Sequence, residues 1–562
     1  MTEPPHLHKI AQGWELLVDG KPYLILGAEL QNSSMSSARY MDTVWQKIAD
    51  MGVNTVLGAV AWEDIEVEEG QYQFSELDLV IRGAASHGLR LIITWFGAFK
   101  NGMSSYAPAW VKKNPRRFPR MQIRGEDGSL EFTNVLSILH GGCAEVEARA
   151  FAALMGHLCD MDEMRTVIMV QVENEVGLLG DSRDRSSPAN TIYASPVPKQ
   201  LVNFLTREKD SLLPDLTRNF SDFGENPGSW PQYFGETVHA EELFMAYHYA
   251  LYVNKVAAAG KKRYNIPLFT NVWLPRPGKN TSSDGVVSGG GKPGDYPSGG
   301  AVPAVLDIWK RFAPALDFIA PDIYSTSYSR SCATYALNGR QPLFIPEQHR
   351  TDFGARRIWE AIGLHGAIGA SPFGIDTIAE HEAAGLKTHY TLLGSMASRI
   401  LESRRRTPAP GHFSTITGFF FDEYNSDGSD PSPSPVSRHL GDYELQIYRE
   451  FVFGVAGPGF GIIVALASDI FLLVGMGFRV EFKSTPPAAR LTGILRFEEK
   501  SVVDKQRGML RTERKFNGDE TRSGRWANMP TEKPDCGFIP ITIPARTMIG
   551  QVHVYSLGSG EF

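Results

Sequence analysis

Val170-Gln171-Val172-Glu173-Asn174-Glu175 and Leu343-Phe344-Ile345-Pro346-Glu347-Gln348 are two short apolar runs, each closed by a glutamate. Runs of this length read as strands buried on both faces, which places Glu175 and Glu347 at strand carboxyl ends. In a barrel of parallel strands, that end is where working side chains collect. Outward from these two runs, one unit repeats between Tyr23 and about Leu401: a short apolar strand, a polar turn, an amphipathic helical segment. The strand candidates are Tyr23–Ala28, Thr55–Ala59, Leu89–Thr94, Val167–Val172, Pro267–Asn271, Phe318–Pro321, Pro342–Ile345 and Ala367–Ser371. Eight such units close a (β/α)8 barrel. Apolar residues spaced by three or four, as in Tyr40-Val44-Ile48-Met51 and Leu77-Ile81-Ala84, predict the outer helices. Three connections exceed what a barrel needs: 101–142, 177–236 and the glycine-rich 282–300. They follow strands three, four and five, and so build the face that carries the glutamates.

Beyond a helix predicted over His381–Leu401, the composition shifts through Pro408-Ala409-Pro410-Gly411 and a Ser/Pro/Asp-rich stretch at 427–435. From Ile416 onward the segments are short, β-rich and broken by Gly or Pro, the pattern of an antiparallel sandwich. The expected architecture is α/β: a (β/α)8 TIM barrel over residues 1–405, then a smaller β-sandwich over 406–562. Residues 451–468 carry no charge and approach the length of a membrane-spanning helix. Gly454, Gly457, Pro458, Gly459 and Gly461 oppose that reading, and strands at Ile462–Leu466, Ile470–Val474 and Phe478–Phe482 account for the run better.

The composition, 42% hydrophobic and 21% charged over 562 residues, is that of a globular chain with more than one core. A net charge of -7 offers no basic footprint for nucleic acid or an anionic membrane. Cys143, Cys159, Cys332 and Cys536 contain no CxxC pair and read as reduced thiols. Met1–Trp14 has no apolar signal core, so a cytoplasmic location is expected. His140, His239 and His349 lack ligand spacing, and neither a metal nor another cofactor is expected.

Two carboxyls on different strands suit the cleavage of a glycosidic bond, one protonating the leaving oxygen and the other attacking the anomeric carbon. Asn174 beside Glu175 would hydrogen-bond a sugar 2-hydroxyl. Glu29, ending the first strand, points toward the same pocket. Trp62, Trp95, Trp110 and Trp273 lie near strand ends, and at least one of them is expected to form a platform for a sugar's C–H face. A carboxyl separation of about 5 to 5.5 Å is expected, the spacing of a retaining enzyme. One of the pair would be ionised and the other protonated near neutrality, giving a bell-shaped pH profile.

With these motifs the chain resembles the clan A glycoside hydrolases, and among them the family 35 β-galactosidases that carry an added C-terminal β-domain. Asn174-Glu175 matches that family's acid/base motif and Glu347 its nucleophile position. Val53-Asn54-Thr55 through Ala61-Trp62-Glu63, with Glu69-Gly70-Gln71-Tyr72-Gln73-Phe74, resembles its second-strand segment. Phe96-Gly97-Ala98-Phe99-Lys100-Asn101 with Ala107-Pro108-Ala109-Trp110-Val111 resembles the third-strand loop of the subgroup. The resemblance covers roughly Tyr23–Phe373 and implies an exo-acting β-galactosidase on an oligosaccharide or glycoside substrate. It also implies that Tyr324, two residues past Asp322, hydrogen-bonds the nucleophile. Departures bear on the sugar: Met164-Arg165-Thr166 stands for the usual Gly-Gly-Pro, and Glu175-Val176 for Glu-Tyr. Lys100-Asn101-Gly102 stands where most members hold the galactose hydroxyls with Ala-Glu. Lys100, Asn101, Tyr324 and Trp273 complete the expected substrate contacts.

A β-glucosidase, a transglycosylase and a catalytically silent sugar-binding barrel are the competing readings. An endo-acting hydrolase would need an open cleft, which the three long connections oppose. For the C-terminal part, three roles stand open: bracing the barrel, binding sugar, or forming a homo-oligomer interface. Asn517-Gly518-Asp519-Glu520 reads there as a turn and not as a calcium loop.

Overall fold

The computed structural model describes residues 3–220, 228–276, 290–325, 327–408, 414–449, 457–485, 489–516, 518, 520–531 and 546–558. Parts of the expected long connections (221–227 and 282–289), residues 409–413 and 451–456, Asn517, Asp519 and Cys536 lie outside them.

The eight expected barrel strands are β1 (Ile25–Glu29), β2 (Thr55–Ala61), β3 (Arg90–Lys100), β4 (Val167–Asn174), β5 (Leu268–Trp273), β6 (Phe318–Asp322), β7 (Phe344–Gln348) and β8 (Gly369–Pro372). They form one parallel sheet in the order β6-β5-β4-β3-β2-β1-β8-β7. A parallel bridge between Ile323 and Gln348 joins its two ends and closes the ring. Continuous apolar runs follow from this closure, because lumen and helix layer cover both faces of every strand. β1, β2 and β4 are accordingly buried along their whole length.

The lumen has polarity along its axis. At the amino-terminal end, Ile25, Leu57, Ile92, Phe269, Phe318 and Phe344 form one apolar cluster, with Phe269 stacked on Phe318 at 5.0 Å. Leu16 and Val18, from an antiparallel strand at Gly13–Val18, join that cluster and plug the barrel from below. Polar side chains are left for the opposite mouth. The outer helices include α1 (Gly141–Met161), α2 (Val238–Lys261), α3 (Asp352–Gly363) and α4 (Glu380–Arg405). The helix predicted over Tyr40–Met51 is instead two short helices, Ala38–Met41 and Trp45–Asp50. Its break is local: the amide and hydroxyl of Thr43 both donate to the Tyr40 carbonyl, tightening the turn.

The C-terminal strands are β9 (Ile416–Phe421), β10 (Val436–Leu440), β11 (Tyr443–Arg449), β12 (Gly459–Ala465), β13 (Ile470–Met476), β14 (Phe478–Ser484), β15 (Ala489–Asp504), β16 (Met509–Lys515), β17 (Trp526–Met529) and β18 (Ile549–Gly558). They make an antiparallel sheet β9-β12-β13-β18-β15-β16 and a second, β10-β11-β14-β17. Phe419, Phe421, Leu445, Ile447, Phe471 and Phe478 fill the space between the two sheets as a sandwich core. Alternate residues Phe460, Ile462, Val464, Leu472 and Val474 turn the other way and join the barrel's core cluster. The six-stranded sheet is thus covered on both faces at β12 and β13. That double cover explains the charge-free stretch near 460, since β12 is buried at every position. No helix among the described residues is long and apolar enough to cross a membrane.

The sheet docks on α3, the helix that follows β7. Trp359 meets Phe460 at 4.8 Å between ring centroids. Arg357 forms a bidentate pair with Asp422 at 2.8 and 3.1 Å, and Arg356 pairs with Glu423. Gly363 and Gly418 allow this approach, because a Cβ on Gly363 would stand 2.7 Å from the Gly418 Cα, and one on Gly418 would overlap the Trp359 carbonyl. Neither glycine needs a positive φ, so the requirement is one of space. Gly418→Val should therefore cost about 1–3 kcal/mol through overpacking. Thermal unfolding should show a lower midpoint than wild type, with faster proteolysis after residue 405. An unchanged midpoint would contradict the docking.

Candidate active site

The end of β4 is bent to present three consecutive polar residues in different directions. Glu173 and Glu175 adopt positive φ values of 62° and 45° around Asn174. Such conformations cost non-glycine residues on the order of 1–3 kcal/mol and persist only where the surroundings hold them. Here the Glu173 carboxyl accepts the amides of Gly97, Ala98 and Phe99 at 3.2, 3.2 and 2.9 Å. The amides of Asn101 and Gly102 donate to the carbonyls of Asn174 and Glu175, both at 3.1 Å. Asn271, at the mouth end of β5, accepts the Glu175 amide on its Oδ1 at 2.9 Å. The end of β3 is thereby buckled, with its register against β4 shifting between Trp95 and Lys100. Glu173 is turned away from the mouth; Asn174 and Glu175 reach it.

Glu347 faces them from β7. Its Oε1 accepts the amides of Asn174 and Asn271, each at 3.3 Å, and its Oε2 accepts the Tyr324 hydroxyl at 3.1 Å. Lys100 Nζ donates to Asn174 Oδ1 at 2.9 Å, which orients that amide so its Nδ2 points at Glu347. Asp322, ending β6, accepts Asn271 Nδ2 at 2.8 Å and is hydrogen-bonded to Glu175. One oxygen from each of Glu175, Asp322 and Glu347 lies within 4.8 Å of the others. All three carboxyls are nearly buried, at 7%, 3% and 7% exposure.

This crowding sets the protonation. Burial, and after it the charge of Glu347, raises Glu175 to about 7. Burial and the same neighbour push Asp322 and Glu29 well above the usual carboxylate range. Lys100 is the cation that acts in the opposite sense on Glu175 and Glu29. Three carboxyl oxygens at this separation could also ligate a cation. Glu175 and Asp322 stand close beside a Glu347 already bonded by three donors.

A cavity of about 390 Å³ opens over these groups. Of the expected contacts, Glu175, Glu347, Lys100, Asn101, Tyr324 and Trp273 line it. Asn174 lies fully buried behind them, and Glu29 is buried nearby with its Oε2 lacking a hydrogen-bond partner. Trp62 departs from the expectation. It is fully buried, its indole donates to Glu66 at 2.6 Å, and its ring packs edge-on against Trp110, because the chain turns into a short helix at Trp62 and carries the ring into the layer outside the barrel. Trp95 is likewise buried against Phe151. Trp273 is the one tryptophan of the four that lines the cavity.

Asp322 and Asn271 belong to the site by geometry and are absent from the residues expected there. Both carry the signal that marked Glu175, a polar residue ending an apolar strand. The Oδ1 of Asp322 is buried without a hydrogen-bond partner.

The fold is a TIM barrel with a pair of carboxyls at its mouth, and comparison with known proteins adds a family likeness over part of it. Residues 15–215, about a third of the chain, match the model of glycosyl hydrolases family 35. Residues 386–528 match a domain of unknown function, DUF5597, a match that begins inside α4. A β-galactosidase of Xanthomonas manihotis is 26% identical over 213 residues, 36% of this chain and 33% of that protein. The match thus spans about a third of the relative's length. Among solved structures, a β-galactosidase from Rahnella sp. R3 aligns with 71% of this chain and 58% of its own, at 15% identity and a TM-score of 0.44. The catalytic domain of a β-amylase from Paenibacillus polymyxa aligns with 65% of this chain and 96% of its own, at 13% identity and a TM-score of 0.44.

The source of the raised Glu175 value is testable. Glu347→Gln removes the neighbouring negative charge, and burial alone then remains, so Glu175 should titrate below about 7. Carbon-detected NMR titration of the side-chain carboxyls would read the change. A Glu175 value that stays put or rises would show that the two carboxylates do not sense each other.

Proposed function

We propose that the protein is an exo-acting retaining glycoside hydrolase that removes terminal β-linked galactose from oligosaccharides. The observation that carries this reading is the pairing itself: two carboxyls with oxygens within 4.8 Å, one of them raised to about 7. An inverting pair stands about 6.5–9.5 Å apart to leave room for a water molecule, so the close approach favours direct attack. In this mechanism Glu347 attacks the anomeric carbon while Glu175 protonates the departing oxygen. Formation of the glycosyl ester neutralises Glu347, which lowers Glu175 and lets it deprotonate the incoming water. Asn174 and Asn271 hold Glu347 in place from one side and Tyr324 from the other. Asn174, fully buried behind the cavity wall, acts on the substrate through Glu347.

The choice of galactose rests on the family likeness. In this chain Lys100-Asn101-Gly102 replaces the usual sugar-holding pair, and Lys100 is already engaged by Asn174. The buried, unpartnered oxygens of Glu29, Asn101 and Asp322 supply hydroxyl acceptors around the mouth instead. A β-glucosidase or transglycosylase uses the same two glutamates and remains the second reading. The orphaned acceptors and the raised acid weigh against a silent sugar-binding barrel. For the chain as a whole, we assign the chemistry to residues 1–405 and bracing of the barrel to 406–562.

Initial rates on nitrophenyl β-galactoside, β-glucoside, β-fucoside and α-arabinoside decide the sugar. Galactoside should turn over fastest, and Glu175→Gln and Glu347→Gln should each lose at least about a hundredfold in kcat. Turnover of another sugar alone would transfer the reading to that substrate; activity surviving both substitutions would end it. The pH dependence of kcat/KM carries a sign. Glu175 must be protonated to act as acid, so the rate should fall as pH rises through about 7. A profile that is flat between pH 6 and 9 would remove Glu175 from that role.

A further inference from the structure

Behind the mouth lies a second pair of carboxyls, Glu173 and Glu147, both fully buried. Glu147 stands on α1, the helix that follows β3, and faces the buckled end of that strand. Its Oε1 accepts the Trp95 indole N–H at 3.1 Å, and its Oε2 accepts the Tyr252 hydroxyl from α2 at 2.6 Å. The two carboxyls meet at Gly97. Glu173 accepts the Gly97 amide at 3.2 Å, and a Cβ on Gly97 would stand 2.1 Å from Glu147 Oε1. Phe99, whose amide Glu173 also accepts, is clamped edge-on by Tyr249 and Tyr252 at 5.4 and 5.2 Å between ring centroids. Cys143, with its Sγ 3.2 Å from the Tyr252 hydroxyl, completes the surroundings. Burial raises both carboxyls, and the charge of Glu147 raises Glu173 further, so the two do not ionise together.

We propose that Glu147 is a positioning residue for Glu175, acting through Glu173. The inference rests on the hydrolase reading above. The path between the two is short. Glu173 grips the amides of Gly97, Ala98 and Phe99, and the next amides of the same loop, those of Asn101 and Gly102, hold the carbonyls of Asn174 and Glu175. A Glu173 that shifts therefore loosens the loop that fixes Glu175, and it releases the positive φ on both sides of Asn174. Glu147 closes the Gly97 side of Glu173, while Trp95 and Tyr252 fix the plane of Glu147 in turn. A carboxyl buried on an outer helix has a desolvation cost that an apolar residue at the same place would avoid. Packing alone does not call for one there; the contact with the wall of the site does.

The test compares Glu147→Ala and Glu147→Gln with Leu154→Ala, a cavity-forming change at a buried position about two turns further along α1. Glu147→Ala should lower kcat about tenfold or more while KM changes less than about threefold, because a misplaced acid affects the transition state more than binding. The alkaline limb of its pH profile should move below about 7, since a Glu175 free to leave its place loses burial and the nearness of Glu347, the two causes that raise it. Glu147→Gln, whose amide can still accept from Trp95 and donate to its other neighbours, should recover most of kcat and the wild-type limb. Leu154→Ala should lower the thermal midpoint and leave the limb in place. Tyr252→Phe removes one donor to Glu147 and keeps the ring; it should move the limb the same way to a smaller extent, and it covers the case in which Glu147→Ala does not fold. An unmoved limb in the Glu147→Ala and Tyr252→Phe variants that fold overturns the inference, as does an equal movement in Leu154→Ala or a Gln variant no better than Ala. A wild type that cleaves no glycoside overturns the hydrolase reading instead. Side-chain carboxyl NMR then decides the positioning separately: a Glu175 value lower in Glu147→Ala than in wild type supports it, and equal values overturn it.

Discussion

Two carboxyls held close together and nearly buried at the barrel mouth are the constraint on which the rest of this structure depends. Like charges at this distance resist ionising together, and burial strengthens the effect. Moving a carboxyl from its ordinary value to about 7 corresponds to roughly 3 kcal/mol in favour of its neutral form. A chain left free would relieve that cost by turning the side chains outward. Glu175 is prevented from doing so by backbone hydrogen bonds from the loop after β3 and by Asn271. Glu347 is held by three donors from β4, β5 and the segment after β6. Strain at Glu173 and Glu175 and repulsion between carboxyls are thus confined to one place, as is common where a site must be organised before its substrate arrives.

The support for this arrangement extends beyond the barrel. The strand bearing Glu347 leads into α3, whose outer face is covered by the six-stranded sheet through Trp359, Arg356 and Arg357. The barrel's core cluster continues into that sheet through Phe460, Ile462 and Val474. Bracing therefore has a physical basis: the C-terminal sheets share hydrophobic core with the helices behind β7 and β8. The domain-model match that starts within α4 follows the same continuity.

Much of the fold was legible because barrel strands have both faces covered. A strand of that kind shows as an unbroken apolar run, and all eight were visible, as were β12, β13 and β14 in the C-terminal part. The docking of β12 on the barrel was not legible, since a run buried twice looks alike whether it faces helices, a second sheet or lipid. Glycines 418 and 363 have no signature as a close-packed pair until two distant segments meet. The break near Thr43 was also hidden, because apolar spacing there is helical and a side-chain hydrogen bond decides the turn.

The sequence by itself determined that Glu175 and Glu347 end barrel strands, since local burial and chain order are written in residue types. Chain order also puts Asn174 beside Glu175, whereas Tyr324 was expected near Glu347 only through the family resemblance. Tertiary structure alone decided the directions and distances: that Glu173 turns into the wall while Glu175 turns to the mouth, that Asp322 and Asn271 complete the network, and that Trp62 packs away from it. Those outcomes depend on backbone torsions and on partners drawn from other strands. Residue order constrains them only through the assembled barrel.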